Sequence, residues 1–205
     1  MNDSTPTAAA LVRAACELFA RHGYDGASVR AITARAGANL GAITYHFGTK
    51  EALYEAVIGA AIGPSYERLA SAAETPGPPL DRVERLVRVF FDFLYENPDL
   101  PTLMLQQLTS SRPMPEVALR TMQANVRVIA ALITEGQQDG SVRPGDAQLM
   151  ALSIGSQPIW LTLARPALQA SVAIDQDDPE TRAQLVESVV RFVRAGLATH
   201  PENLR

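Results

Sequence analysis

Between Gly37 and Lys50 the chain carries a run of small and hydrogen-bonding side chains: Leu40, Gly41, Ala42, Thr44, Tyr45 and His46, with Lys50 just beyond. The chemistry these types offer is recognition, without bond making. Small side chains let a helix sink into the major groove of DNA, about 12 Å wide, where base edges carry a unique hydrogen-bond code. Tyr45 and His46 can donate to phosphate oxygens. Lys50 stands where a new helix begins, so its charge and the free backbone N–H groups can both meet a phosphate. Each has a plainer alternative: Tyr45 as a core aromatic, His46 as a structural hydrogen-bonding residue, Lys50 as a solvated charge. Nothing in the chain pairs a nucleophile with a spaced base, and Gly41-Ala-Ile is no phosphate loop because no strand precedes it. His22, His46 and His200 are too dispersed for a zinc site. The expectation is a protein that is not an enzyme and needs no cofactor.

The elements that must hold those residues are helical. Apolar spacing follows the helical period nearly throughout, and no alternating strand segment stands out. Thr7 to His22 places Leu11, Ala15, Leu18 and Phe19 on one face, and Gly23 is a natural stop. Ser28 can cap a short helix with Val29, Ile32 and Ala36 inward. Gly37 supplies a left-handed turn. Asn39 can cap the next short helix, with Ile43 and Phe47 inward, and Gly48 closes it. Thr49 can cap a fourth helix, in which Gly63-Pro64 is a candidate kink. The run Thr75-Pro-Gly-Pro-Pro79 is the clearest linker. Further helices are expected at about 80–96, 99–109 and 116–138. An apolar one from Asp146 is interrupted near Gln157-Pro158 and ends near Arg165-Pro166, and a last one is capped by Asp175 to Asp178 with Pro179 in its first turn. The expectation is an all-α fold of about nine helices: a three-helix head over residues 1–55 and a larger helical body over 56–205.

The bulk composition agrees. Of 205 residues, 47% are apolar and 20% charged, enough for a sizeable core. No stretch is long and apolar enough to span a membrane, and from the polar, alanine-rich start, without a basic segment and apolar block, no signal peptide is expected. A lone cysteine, Cys16, fits a reducing cytoplasm and a buried structural thiol. Net charge is −4, but the first fifty residues hold five cations against three carboxylates. The remainder therefore carries −6, a modestly basic head on an acidic body.

Several spaced segments resemble the DNA-binding head of TetR-type regulators: Phe19-Ala-Arg-His-Gly-Tyr24, Ser28-Val-Arg-Ala-Ile32, Ala36-Gly37 and Ala42-Ile-Thr-Tyr-His-Phe-Gly-Thr-Lys-Glu-Ala-Leu53. The match covers about residues 8–55. It departs at Ala38, where the family often has Val, and at Thr44, where it often has Tyr; the fold expectation is intact, but base preference is harder to transfer. The segment Gln157 to Pro166 is similar to C-terminal domains of the CecR-like branch. The resemblance implies a homodimer whose two heads read a roughly palindromic double-stranded operator. It also implies that the last two helices of each subunit, with their Val/Leu stripe, pair into a four-helix interface. A small-molecule effector in the body would alter the separation of the heads and release DNA. By the same resemblance the DNA contacts are Ser28, Arg30, Leu40, Gly41, Ala42, Thr44, Tyr45, His46 and Lys50, with Arg30 able to pair with guanine. Phe90, Leu94, Met104, Leu105, Leu108, Met122, Val126, Gln157 and Trp160 are candidates to line an effector cavity, ordinary core packing being the alternative. Gln106 and Gln107 are amides in apolar surroundings that need partners, from an effector, water or solvent. The rival function is a helical protein-binding adaptor, or a small-molecule-binding protein without DNA function.

Overall fold

The computed structural model describes residues 6–199; Met1–Thr5 and His200–Arg205, and with them Asp3 and His200, lie outside the described residues. Among the described residues ten helices form: α1 (Pro6–Gly26), α2 (Val29–Arg35), α3 (Ala42–Phe47), α4 (Lys50–Glu74), α5 (Pro79–Glu96), α6 (Leu100–Thr109), α7 (Glu116–Asp139), α8 (Ala147–Leu163), α9 (Arg165–Val172) and α10 (Pro179–Leu197). The fold is all-α, with one helix more than the pattern suggested. The extra one is α9. Pro166 was expected to end a helix, but it lies in the first turn of α9, where its missing N–H costs nothing. Neither internal proline breaks its helix. At Pro64 both the proline and Ala60, whose carbonyl loses its partner, are exposed, so water can serve that carbonyl. At Pro158 the ring is buried on the same face as Ile154, and packing offsets the lost bond.

Two compact units result. The first contains the described residues up to Pro64 together with Asp99–Arg120; the second contains Ser65–Pro98 and the described residues from Thr121 on. In the first, Leu11, Ala14, Ala15 and Phe19 of α1 are buried at helical spacing. Gly23, at φ 69°, ends the regular helix as expected. In the second, Val83, Leu86, Val87 and Phe91 of α5 pack with Ile129 and Ile133 of α7, Ala151 and Ile154 of α8, and Val189, Val190, Val193 and Leu197 of α10. Arg194 of α10 ties to α5 through Asp81 (2.8 Å) and Glu84 (2.7 Å).

That packing corrects one expectation. The resemblance favours the C-terminal Val/Leu stripe as dimer surface, with intramolecular core as the alternative; Val189, Val190, Val193 and Leu197 are buried within the protomer. The outward face of α10 instead carries Gln184, Ser188, Arg191, Phe192 and Ala195. Phe192 is 68% exposed. Leu149, Leu152, Ile159 and Trp160 likewise stand exposed along α8.

Candidate nucleic-acid interface

The helix-turn-helix is built by short-range hydrogen bonds. Ser28 caps α2, its Oγ accepting from the Ala31 N–H at 3.1 Å. Within α2 the buried Thr33 hydroxyl is shared between the carbonyls of Val29 (3.0 Å) and Arg30 (3.2 Å), so it leaves no polar cost in the core. The chain then leaves the helix through Gly37 at φ 67°, a conformation only glycine adopts cheaply. The N–H of Ala38 closes back on the Thr33 carbonyl at 2.9 Å. Residues 38–41 lead into α3. Its cap position is Gly41, which makes no side-chain bond; the expected cap, Asn39, contributes only its backbone carbonyl to the Ala42 N–H at 3.1 Å. Helix α3 is six residues long, and Gly48 at φ 79° stops it. Thr49 caps α4 as expected, accepting from the Ala52 N–H at 3.0 Å.

Within α3 the inward face is Ala42 and Ile43. Phe47, also expected inward, is half-buried. The outward face is Leu40, Gly41, Thr44 and Tyr45, all exposed. Tyr45 is 85% exposed, which excludes the core-aromatic alternative. Its ring rests edge-on to His46, 4.8 Å between centroids. Ala42 is only 6% exposed, so among the nine proposed contacts its side chain is the one turned into the head. Its smallness seats α3 against α1 and α2.

The cations divide into two groups. Arg21 and Arg35 both pair with Glu17, at 3.1 Å and 2.8 Å, while their side chains stay largely exposed. Arg30 is exposed and makes no ion pair or side-chain hydrogen bond among the described residues. Lys50 is half-buried. Its Nζ donates to the Tyr24 carbonyl at 2.6 Å and lies 4.3 Å from the centroid of the Tyr24 ring. Burial lowers its pKa, with Asp25 opposing and Arg112 assisting that shift.

Sequence reasoning missed the group behind Lys50. Tyr24 packs against Phe19 (5.7 Å) and edge-on to Tyr54 (5.2 Å), and burial raises its pKa. Arg112, between α6 and α7, places its guanidinium 3.6 Å from the Tyr24 centroid and 3.5 Å from Asp25. Gln106 and Gln107 also find partners in the protein. Gln106 Nε2 donates to the Ala20 carbonyl at 3.0 Å, and the buried Gln107 donates to the carbonyls of Arg112 (3.2 Å) and Pro113 (3.1 Å). The only local signal was Tyr24 beside Gly23. Arg112 sits in a proline-bracketed loop with no pattern to mark it.

The proposed effector residues are dispersed. Met104, Leu105 and Leu108 belong to the first unit; Phe90, Leu94, Met122, Val126, Gln157 and Trp160 belong to the second. Phe90 and Val126 lie against the second unit's core, and Leu94 is fully buried. Leu105, Leu108 and Met122 are exposed. Gln157 is half-buried and turns to the Ser153 carbonyl of its own helix at 3.4 Å. Trp160 is 63% exposed on the outer face of α8, with Leu149, Leu152 and Ile159, and does not line the second unit's interior.

A capped short helix, a glycine turn and a second short helix with an open polar-aromatic face define a helix-turn-helix DNA-binding head. Residues 11–57 match the family of bacterial regulatory proteins, tetR family, and residues 79–193 match the tetracyclin repressor-like C-terminal domain. The chain belongs to the TetR family of bacterial regulatory proteins and is a transcriptional regulator. It is 31% identical to a transcriptional repressor of Mycobacterium tuberculosis over 188 residues, 91% of this chain and 88% of that one. It is 27% identical to the transcriptional activator FasR of Mycolicibacterium smegmatis over 196 residues, 93% of this chain and 83% of that one. Among solved structures it resembles the regulator FadR of Bacillus subtilis in complex with stearoyl-CoA, with a TM-score of 0.73, 20% identity, and 92% and 98% of the two chains covered. No described helix is long and apolar enough to cross a membrane.

Proposed function

We propose that the chain is a cytoplasmic homodimeric repressor that binds a two-fold symmetric operator and is released by a small apolar or amphipathic effector. The carrying observation is the open face of α3: Tyr45, Thr44, Gly41 and Leu40 stand clear while Ala42 and Ile43 anchor the helix. A helix presented in this way can enter the major groove. Tyr45 and Thr44 read base edges or methyl groups. Arg30 reaches a guanine or a phosphate from α2. Ser28, His46 and Lys50 hold the backbone, Lys50 with the two ammonium protons that Tyr24 leaves free. Residues 1–55 are the DNA-binding domain and 56–205 the effector-binding and dimerisation domain. That division by role differs from the two compact units because α6 packs with α1.

Two copies pair through the outward faces of α8 and α10, where Phe192 and Trp160 are otherwise left in water. Exposed apolar side chains of this kind favour an interaction surface on these helices. Repression is favoured by the relative with the higher identity, a repressor. An amphipathic effector is favoured by the stearoyl-CoA bound to the Bacillus subtilis regulator. The effector acts only by binding the two arrangements of the heads unequally.

Selection of DNA from a random pool with the purified protein tests this directly. A two-fold symmetric site bound with steep salt dependence is expected. Recovery of asymmetric or salt-indifferent sequences refutes the operator assignment. Adding acyl-CoAs of graded chain length to that complex tests the effector class, and unchanged affinity across the series refutes it.

A further inference from the structure

Two cations converge on one tyrosine. Lys50 Nζ lies 4.3 Å from the Tyr24 ring centroid and Arg112 Cζ lies 3.6 Å from it. The same tyrosine's carbonyl accepts the Lys50 proton at 2.6 Å. Both distances fall within the range where an aromatic ring attracts a cation. Asp25, next in sequence, sits 3.5 Å from Arg112 and supplies the negative charge that lets two cations approach one ring.

Arg112 is itself held by a short relay. Gln106 of α6 binds the Ala20 carbonyl of α1, and Gln107 of α6 binds the carbonyls of Arg112 and Pro113. Gln107 is almost wholly buried, so these bonds are shielded from competing water. The position of the α6–α7 loop is thereby written onto the end of α1 at Tyr24. Tyr24 lies just past Gly23, where α1 leaves regular geometry, so the backbone there is not held by helical bonds alone.

We propose that Arg112 is a positioning residue for DNA binding: by clamping the Tyr24 ring it fixes the carbonyl that aims the Lys50 ammonium at a phosphate. Arg112 touches no DNA in this scheme; it acts through Tyr24 and Lys50. A shift of the α6–α7 loop unclamps Tyr24, frees Lys50 to swing into solvent and weakens the grip on the backbone. The inference rests on the DNA-binding role proposed above for Lys50.

The test is a double-mutant cycle on the full-length protein, with Arg112→Gln, Lys50→Ala and the pair. Affinities are measured for the site recovered by selection and for a mixed-sequence duplex, across a salt series. Arg112→Gln in the wild-type background is expected to weaken both duplexes about fivefold, the scale of one partly desolvated cation–π contact. In the Lys50→Ala background it is expected to change affinity less than about twofold, because its target is gone. Losses that simply add, with a further flattening of the salt slope, mean that Arg112 meets a phosphate itself and overturn the proposal. If circular dichroism shows that Arg112→Gln is not folded, Arg112→Lys replaces it in the same cycle. It keeps the charge but loses the planar stacking surface, and the same non-additivity is required of it. A wild-type protein with no salt-dependent affinity for any duplex refutes the DNA-binding function itself; a wild type that binds, combined with additive variants, overturns only the role of Arg112.

Discussion

Replacing Phe192 by alanine isolates the outward face of α10. The side chain is 68% exposed in the protomer, so removing it leaves no cavity in the protomer core. Full burial of a phenylalanine stabilises by about 1.5–3 kcal/mol. Two-thirds of that remains to be gained on association, or about 1–2 kcal/mol per subunit. A two-fold interface uses the residue twice, so Phe192→Ala is expected to weaken dimerisation by about 2–4 kcal/mol, on the order of 30- to 1,000-fold in Kd. Sedimentation equilibrium over a wide concentration range measures it. The neighbour provides the control. Val193 points into the core with Val189, Val190 and Leu197, so Val193→Ala is expected to cost about 2 kcal/mol of unfolding free energy at any concentration. Stability lost by Phe192→Ala should instead fade at high protein concentration. A Phe192→Ala dimer as tight as wild type would refute the assignment of this face to subunit pairing.

Other substitutions probe the head and the α9 terminus. Tyr45→Ala should weaken binding to the selected operator by about 1–3 kcal/mol while leaving a mixed-sequence duplex nearly unaffected, read by fluorescence anisotropy with both DNAs; equal losses would place Tyr45 on the backbone. Ser28→Ala removes the α2 cap bond to Ala31 and should lower thermal stability by about 1 kcal/mol, measured by calorimetry. Ala173 ends α9 at φ 57°, a left-handed conformation costing about 1–2 kcal/mol for a residue with a Cβ, so Ala173→Gly should raise the melting temperature. A lower melting temperature would mean that the alanine methyl makes a packing contact outweighing the strain.

What the linear order of residues determined was whatever depends on neighbours within a turn or two. The helical period, the caps at Ser28, Thr49, Asp146 and Asp178, and the left-handed glycines at 37 and 48 are all local. Each is decided by hydrogen bonds spanning five residues or fewer, and so the helix-turn-helix and its exposed recognition face were legible. The exceptions are instructive. Pro166 reads equally as a stop or a start, because a proline lacks only an N–H that the first turn does not use. Asn39 is a good capping type two positions too early.

Contacts across long separations were decided only by the tertiary structure. A Val/Leu stripe on α10 announces that a face is buried, but not whether the covering surface is its own α5 and α8 or a second copy. Both would remove the same apolar area from water. Nor does a sequence say that Arg112, 88 residues from Tyr24, lands on that ring beside Lys50. A cation–π contact has no periodicity along the chain, since it depends on where two distant backbones come to rest. The docking of α6 on α1 sets that, and so decides how Lys50 is held against Tyr24.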